Sequence, residues 1–122
     1  MSRFAHPDHS LFKTFSGDLT IVLRLLGRFK EEWDSSLVQW RQCLRGADAE
    51  GLFQIQHRWL SGLRTLGYEG LARRIATLQA ELQETPSDLS NIQALEEELE
   101  EIQSDLSTEI TSLQGLIQHQ KE

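Results

Sequence analysis

Apolar side chains recur at alternating spacings of three and four along most of this 122-residue chain. This spacing places them on one face of an α-helix, and no stretch shows strand-like alternation of comparable strength. Four stretches carry the pattern and predict four amphipathic helices. The first follows Asp18 and ends near Gly46, the second spans residues 49–66, the third spans residues 68–84, and the fourth begins at Ser87 or Asp88.

Polar residues and glycines mark the ends of these helices. Asp18 and Asp48 precede the first two helices, where their carboxylates can accept hydrogen bonds from unpaired backbone N–H groups. Gly67 is placed to end the second helix, because glycine readily adopts the left-handed backbone found there. Pro86 interrupts the pattern after the third helix. The connections between the helices are therefore short.

Short connections predict an all-α fold, an antiparallel up-down-up-down four-helix bundle over residues 18–120. The first and last helices would be about 40 and 45 Å long, and the middle pair about 26 Å each. The long helices would then extend beyond the middle pair with their apolar faces uncovered. Residues 1–17, which include Phe4, Leu11, Phe12 and Phe15, could cover that end as a short capping helix. The alternative is a dimer formed through the uncovered ends.

Charge and composition narrow the class of protein. The formal net charge of −7 argues against a nucleic-acid partner, because phosphate contacts need a concentrated basic surface. The single cysteine, Cys43, has no partner for an internal disulfide or a zinc-ligand pair. Residues 1–16 lack the apolar segment of a signal peptide, and no apolar run is long enough to span a membrane. We expect a cytoplasmic protein with no membrane partner.

One histidine faces away from the core of the second helix. At about 100° per residue, His57 points roughly 140–160° from the centre of the apolar stripe. That stripe consists of Leu52, Ile55, Trp59, Leu63 and Leu66. Phe53, Leu60, Ser61 and Arg64 surround the histidine. Geometry alone favours an ordinary surface histidine.

The sequence around His57 adds a family resemblance. The stretch HRWLSGLRTLGYEGLARRIATLQAEL, residues 57–82, resembles the signature of histidine-phosphotransfer domains. In that family, apolar and glycine residues follow the phosphorylated histidine by nine and ten positions, as Leu66 and Gly67 do here. The upstream stretch LLGRFKEEWDSSLVQWRQCLRGADAEGL resembles the family's first core helix. The resemblance covers about residues 18–118.

The resemblance implies a histidine phosphocarrier of a two-component phosphorelay. His57 would accept a phosphoryl group from an aspartate of a receiver domain and pass it on. The receiver would supply Mg²⁺, so the chain is expected to need no cofactor or metal of its own. Response-regulator receiver domains are the expected partners, with a hybrid sensor kinase as a further candidate, and a monomer is favoured over a dimer. Such a phosphotransfer intermediate is not a conventional turnover enzyme, so we leave open whether the chain should be classed as an enzyme.

The motif departs from the family pattern at two positions. Leu60 stands where the family has the lysine that is thought to offset phosphoryl charge, and Ser61 stands where the family has glycine. Arg64 lies two turns after His57 and within about 20° of its direction, so it could replace the lysine as charge partner. Phe53, Leu60, Ser61 and Arg58 are the candidate docking residues. The missing lysine also allows a degenerate binding module without efficient transfer, and a helical oligomerising adaptor remains the third alternative.

Other polar residues are weaker candidates. His6 and His9 have metal-ligand spacing, but Pro7 lies between them and no third ligand is near. Gln79 could hydrogen-bond near the histidine, as a polar residue does in some family members. We give these features little weight.

Overall fold

The computed structural model describes residues 2–120, and all regular structure in this range is helical. A 3₁₀ turn at Arg3–Ala5 precedes six α-helices. These are α1 (Ser10–Thr14), α2 (Leu19–Arg45), α3 (Ala49–Thr65), α4 (Glu69–Glu84), α5 (Ser90–Gln93) and α6 (Glu96–Gln120). The all-α prediction is confirmed. None of the helices in this range is both long and apolar enough to cross a membrane.

The described residues fall into two compact units. One comprises residues 2–33 and 100–120, and the other comprises Asp34–Leu99. The long helices α2 and α6 each contribute residues to both units. His57, with every contact discussed below as part of its site, belongs to the second unit.

In the first unit, the N-terminal segment is packed and hydrogen-bonded. Phe4 and Leu11 are buried. The hydroxyl of Ser2 donates to the carboxylate of Glu109, and the guanidinium of Arg3 lies 2.8 Å from the carboxylate of Asp105. These contacts attach the segment to α6. The predicted boundary at residue 17, between a capping segment and a bundle, stays a prediction.

The predicted N-caps are both present. The Oδ1 atom of Asp18 accepts from the N–H of Thr20 at 3.1 Å, at the start of α2. The Oδ1 atom of Asp48 accepts from the N–H of Gly51 at 2.9 Å, at the start of α3. These bonds satisfy N–H groups that have no partner within the helix.

Helix α2 ends next to Gly46, but this glycine does not have the left-handed backbone that is common after a helix. The N–H of Asp48 donates to the carbonyl of Cys43 at 2.8 Å, and that of Ala47 donates to Leu44 at 3.2 Å. In this Schellman arrangement the left-handed residue is Ala47, with φ of 51°, and not Gly46. The corresponding residue after α3 is Gly67, with φ of 89°, as predicted. Position relative to the last bonded carbonyl, which the sequence does not show, decides which residue is left-handed.

The fourth helix predicted from Ser87 or Asp88 begins at Ser90 and is interrupted. Helix α5 is a single turn, and residues 94–95 form a turn before α6 begins. In this turn the N–H of Leu95 donates to the carbonyl of Ile92 at 3.0 Å. Such a three-residue bond keeps Ile92 and Leu95 buried although the helix is interrupted. The apolar spacing therefore continues across a break that it cannot reveal.

In the second unit, the predicted apolar stripes form the core. Helices α3 and α4 pack against each other. The indole Nε1 of Trp59 donates to the hydroxyl of Ser36 on α2 at 2.8 Å. Arg41 of α2 pairs with Glu96 at 3.1 Å, which attaches the start of α6. The buried residues include Leu37, Trp40, Leu52, Ile55, Trp59, Leu63, Ile75, Leu95 and Leu99.

Candidate functional site

His57 lies in the middle of α3 with its side chain exposed. The opposite face of the helix is buried: Leu52 and Leu63 are 0% exposed, and Ile55 and Trp59 are 5% exposed. The structure thus places the histidine on the face that the apolar spacing predicts. A partner can reach this imidazole while the helix that carries it is held by the core.

Apolar side chains lie on both sides of His57 along α3. The ring of Phe53 is nearly parallel to the imidazole, with centroids 6.1 Å apart and planes at 4°. Phe53 and Leu60 are both half-buried, and Ser61 is exposed. Phe53 also lines an open groove between α3 and α4 with Ala49, Leu82 and Pro86. The surface around the histidine therefore offers apolar area together with a small side chain.

Two arginines on α3 are available to an anion. Arg58 and Arg64 are exposed, and within residues 2–120 neither forms an ion pair. Two arginines of α4 are engaged instead: Arg73 lies 3.7 Å from Glu69, and Arg74 pairs with Glu98. Arg64 follows His57 by seven residues, so both project from nearly the same side of the helix. Arg58 projects from a neighbouring side.

A buried hydrogen-bond relay lies beneath His57, and sequence reasoning missed its central member. Nε1 of Trp40 donates to Oε1 of Gln56 at 2.9 Å, and Nε2 of Gln56 donates to Oε1 of Gln79 at 2.9 Å. Nε2 of Gln79 then donates to the carbonyl oxygen of Phe53 at 2.9 Å. We call Trp40, Gln56 and Gln79 the amide relay. A glutamine at position 56, at the edge of the core stripe and about 20° from Leu63, was the available signal.

The remaining candidates have structural explanations. The Nδ1 atom of His9 accepts from the N–H of Leu11 at the start of α1, and His6 accepts from the N–H of Asp8. No group of three His, Cys, Asp or Glu side chains within the described part of the chain could hold a metal ion. Burial and the nearby Asp48 carboxylate raise the pKa of the Cys43 thiol. The protonated thiol is a poor nucleophile at neutral pH.

Fold and site together define a class: an all-helical module that presents a histidine, His57, in the middle of a helix on its outward face. The family model described as the Hpt domain matches residues 24–105, about two thirds of the chain. The chain therefore belongs to the Hpt domain family, whose members are phosphotransfer modules of two-component signalling and interact with receiver domains and kinases. No curated protein and no solved structure matches the chain.

Proposed function

We propose that this chain is a histidine phosphocarrier in a two-component phosphorelay. His57 accepts a phosphoryl group from an aspartyl-phosphate of a receiver domain and passes it on. The observation that carries the proposal is the exposed imidazole on the core-anchored helix α3 of an Hpt family member. As part of the proposal, residues 18–120 form an antiparallel up-down-up-down four-helix bundle, and the carrier acts as a cytoplasmic monomer.

The chemistry requires little from the chain beyond an accessible nucleophile. A neutral imidazole carries a lone pair on one ring nitrogen, which attacks the phosphorus of the acyl phosphate. The N–P bond forms as the P–O bond to the receiver carboxylate breaks, and the carboxylate leaves with the electron pair. Catalysis then rests on alignment and charge neutralisation. Mg²⁺ and the aspartate belong to the receiver.

The proposed docking face consists of Phe53, Leu60, Ser61 and Arg58. Its half-buried apolar side chains can bury further area against a receiver, and the small Ser61 leaves space beside the imidazole. The groove formed with Leu82 and Pro86 extends the apolar area from α3 towards α4. Burial of apolar surface contributes affinity, whereas the imidazole itself contributes chemistry.

Arg64 is the proposed charge partner of the phosphoryl group. Leu60 cannot supply the positive charge that the family lysine provides, and Arg64 has no ion pair among residues 2–120 to give up. Side chains of a helix lean towards its N-terminus, so the guanidinium can reach back over Leu60 towards His57. A planar guanidinium binds phosphate oxygens through two parallel hydrogen bonds.

The absence of the family lysine favours a second candidate function. With Leu60 beside the histidine, the chain could dock receiver or kinase domains without efficient transfer. This degenerate module would keep the docking face and lose only the chemistry. A measurement of phosphoryl transfer distinguishes this module from the carrier, whereas a measurement of receiver binding does not.

The test is phosphotransfer from a panel of phosphorylated receiver domains to wild type, His57→Gln and His119→Gln. The exposed His119 on α6 is the matched control. A carrier gives acid-labile label on wild type and His119→Gln and none on His57→Gln. Equal label on all three would contradict His57 as the site. Receiver binding without label on any of the three would favour the degenerate module.

A further inference from the structure

The amide relay has only one direction in which all its members are paired. The indole N–H of Trp40 can only donate, so it must face the amide oxygen of Gln56. At the other end, the carbonyl of Phe53 can only accept, so it must face the amide nitrogen of Gln79. Both amides are therefore fixed in orientation by groups that cannot reverse their roles.

The relay ends at the backbone turn that carries the histidine. In an α-helix the N–H of residue 57 points at the carbonyl of residue 53, the same carbonyl that accepts from Gln79. The ring of Phe53 also stacks beside the imidazole of His57. The last bond of the relay thus holds the residue that supports His57 through both its backbone and its ring.

Burial makes the relay demanding of geometry. Trp40 and Gln56 are 0% exposed and Gln79 is 7% exposed, so water cannot readily replace the bonds that Gln56 makes to Trp40 and Gln79. The last bond, from Gln79 to the carbonyl of Phe53, is partly buried. A rotation of α3, or a slide against α2 or α4, would separate at least one pair and leave a buried polar group unpaired. The relay therefore restricts α3 to one rotational setting between its two neighbours.

We infer that Gln56 is a positioning residue for phosphoryl transfer: through the relay it fixes the rotation of α3 and so the direction of the His57 imidazole. This inference rests on the proposed function. Displacement of a reacting group by about 1 Å costs roughly 100-fold in rate, so a carrier that lacks the family lysine depends strongly on alignment. Gln56 touches neither the phosphoryl group nor the imidazole and acts only through its neighbours.

The test compares Gln56→Met with Ser36→Ala. Methionine keeps an unbranched side chain of similar length and removes the two hydrogen bonds that Gln56 makes with Trp40 and Gln79. Ser36→Ala also removes an indole acceptor between α2 and α3, that of Trp59, but this bond does not involve Phe53, whose ring stacks beside His57. Single-turnover transfer is measured at increasing concentrations of phosphorylated receiver. The NMR signals of the His57 ring protons, which the Phe53 ring shifts, are recorded on the free protein.

Gln56→Met is expected to lower the maximal transfer rate about tenfold or more, with the half-saturating receiver concentration changed less than about twofold. It is also expected to shift the His57 ring signals. Ser36→Ala should change neither readout. If Gln56→Met does not fold, Trp40→Phe removes only the donor end and should give the same pattern in milder form.

Unchanged rate and ring signals in folded Gln56→Met would overturn the inference, as would equal losses in Ser36→Ala. If wild type takes no phosphoryl group from any receiver, the proposed function fails. The ring signals then still test whether Gln56 positions the His57 imidazole. A shift confined to the relay variants would then support the positioning of His57, and unchanged signals would overturn it.

Discussion

At the scale of single residues, we propose that Arg64 and not Leu60 offsets the charge of the phosphoryl group. Leu60 follows His57 by one turn and is uncharged, and Arg64 follows it by two turns and has no ion pair among residues 2–120. If Arg64 replaces the family lysine, the transition state loses a cation when that arginine is removed. A positive charge at position 60 should then replace the positive charge at position 64.

We predict that Arg64→Ala lowers the single-turnover transfer rate by about tenfold, since a charge-assisted hydrogen bond is worth about 1.5 kcal/mol or more. Adding Leu60→Lys to that variant should restore the rate. Rates from a phosphorylated receiver provide the measurement. Arg24→Ala, an exposed arginine in the first unit, is the control and should behave as wild type. An unchanged rate in Arg64→Ala would remove Arg64 from the site.

The exposed part of the site is accessible to sequence reasoning, and the buried part is less so. His57 is recognisable because its direction follows from the spacing of Leu52, Ile55 and Trp59, and because its neighbours resemble a family motif. Gln56 is adjacent, but the sequence does not show which partners a buried amide finds. Those partners, Trp40 and Gln79, come from other helices and become neighbours only through tertiary packing.

At the scale of secondary-structure elements, the connection between α2 and α3 contains a strained residue. Ala47 adopts φ of 51° at the position where helices most often have glycine. A β-carbon in the left-handed region costs roughly 1–2 kcal/mol. The strain lies next to Asp48, which caps the helix of His57.

We predict that Ala47→Gly raises the free energy of unfolding by about 0.5–1 kcal/mol, because relief of the strain exceeds the added flexibility of the unfolded chain. Denaturant unfolding followed by circular dichroism measures the change. The mirror variant Gly67→Ala places a β-carbon at φ of 89° and should lower stability by about 1 kcal/mol. Destabilisation by Ala47→Gly would contradict the argument.

Element prediction succeeds where burial sets the pattern and fails where local hydrogen bonds do. The apolar stripes locate α2, α3 and α4 closely, because their buried faces are continuous. The turn between α5 and α6 leaves Ile92 and Leu95 in phase with the stripe. The bond from Leu95 to Ile92 marks the break between the two helices, and Asp88 caps the start of α5 at Ser90. Neither alters the apolar spacing.

At the scale of the whole molecule, we expect the distribution of charge to influence which surface a receiver approaches. The net charge is −7, yet α3 presents Arg58 and Arg64 on exposed positions. The first turn of α6 carries Glu96, Glu97 and Glu98, and the first and third of these pair with arginines of α2 and α4. An anionic phosphorylated receiver is therefore expected to approach the α3 face in preference to the acidic start of α6.

We predict that Leu60→Asp abolishes receiver binding while the helices stay folded, because a carboxylate in the docking face must lose its water and repels the receiver's phosphoryl group. Binding is measured by calorimetry and folding by circular dichroism. Val38→Asp is the matched control, since Val38 is an exposed apolar residue of α2 in the same unit. The control should bind as wild type. Binding that survives Leu60→Asp would place the docking face elsewhere.

We propose that the chain both accepts and releases a phosphoryl group through His57. The most direct measurement mixes a radiolabelled phosphorylated receiver, the chain and a second, unlabelled receiver, and follows the label over time. We predict that wild type carries acid-labile label transiently and that the second receiver gains it, while His57→Gln blocks the transfer. Label that reaches the second receiver equally well with His57→Gln, or never leaves the first receiver with wild type, would contradict this role of His57.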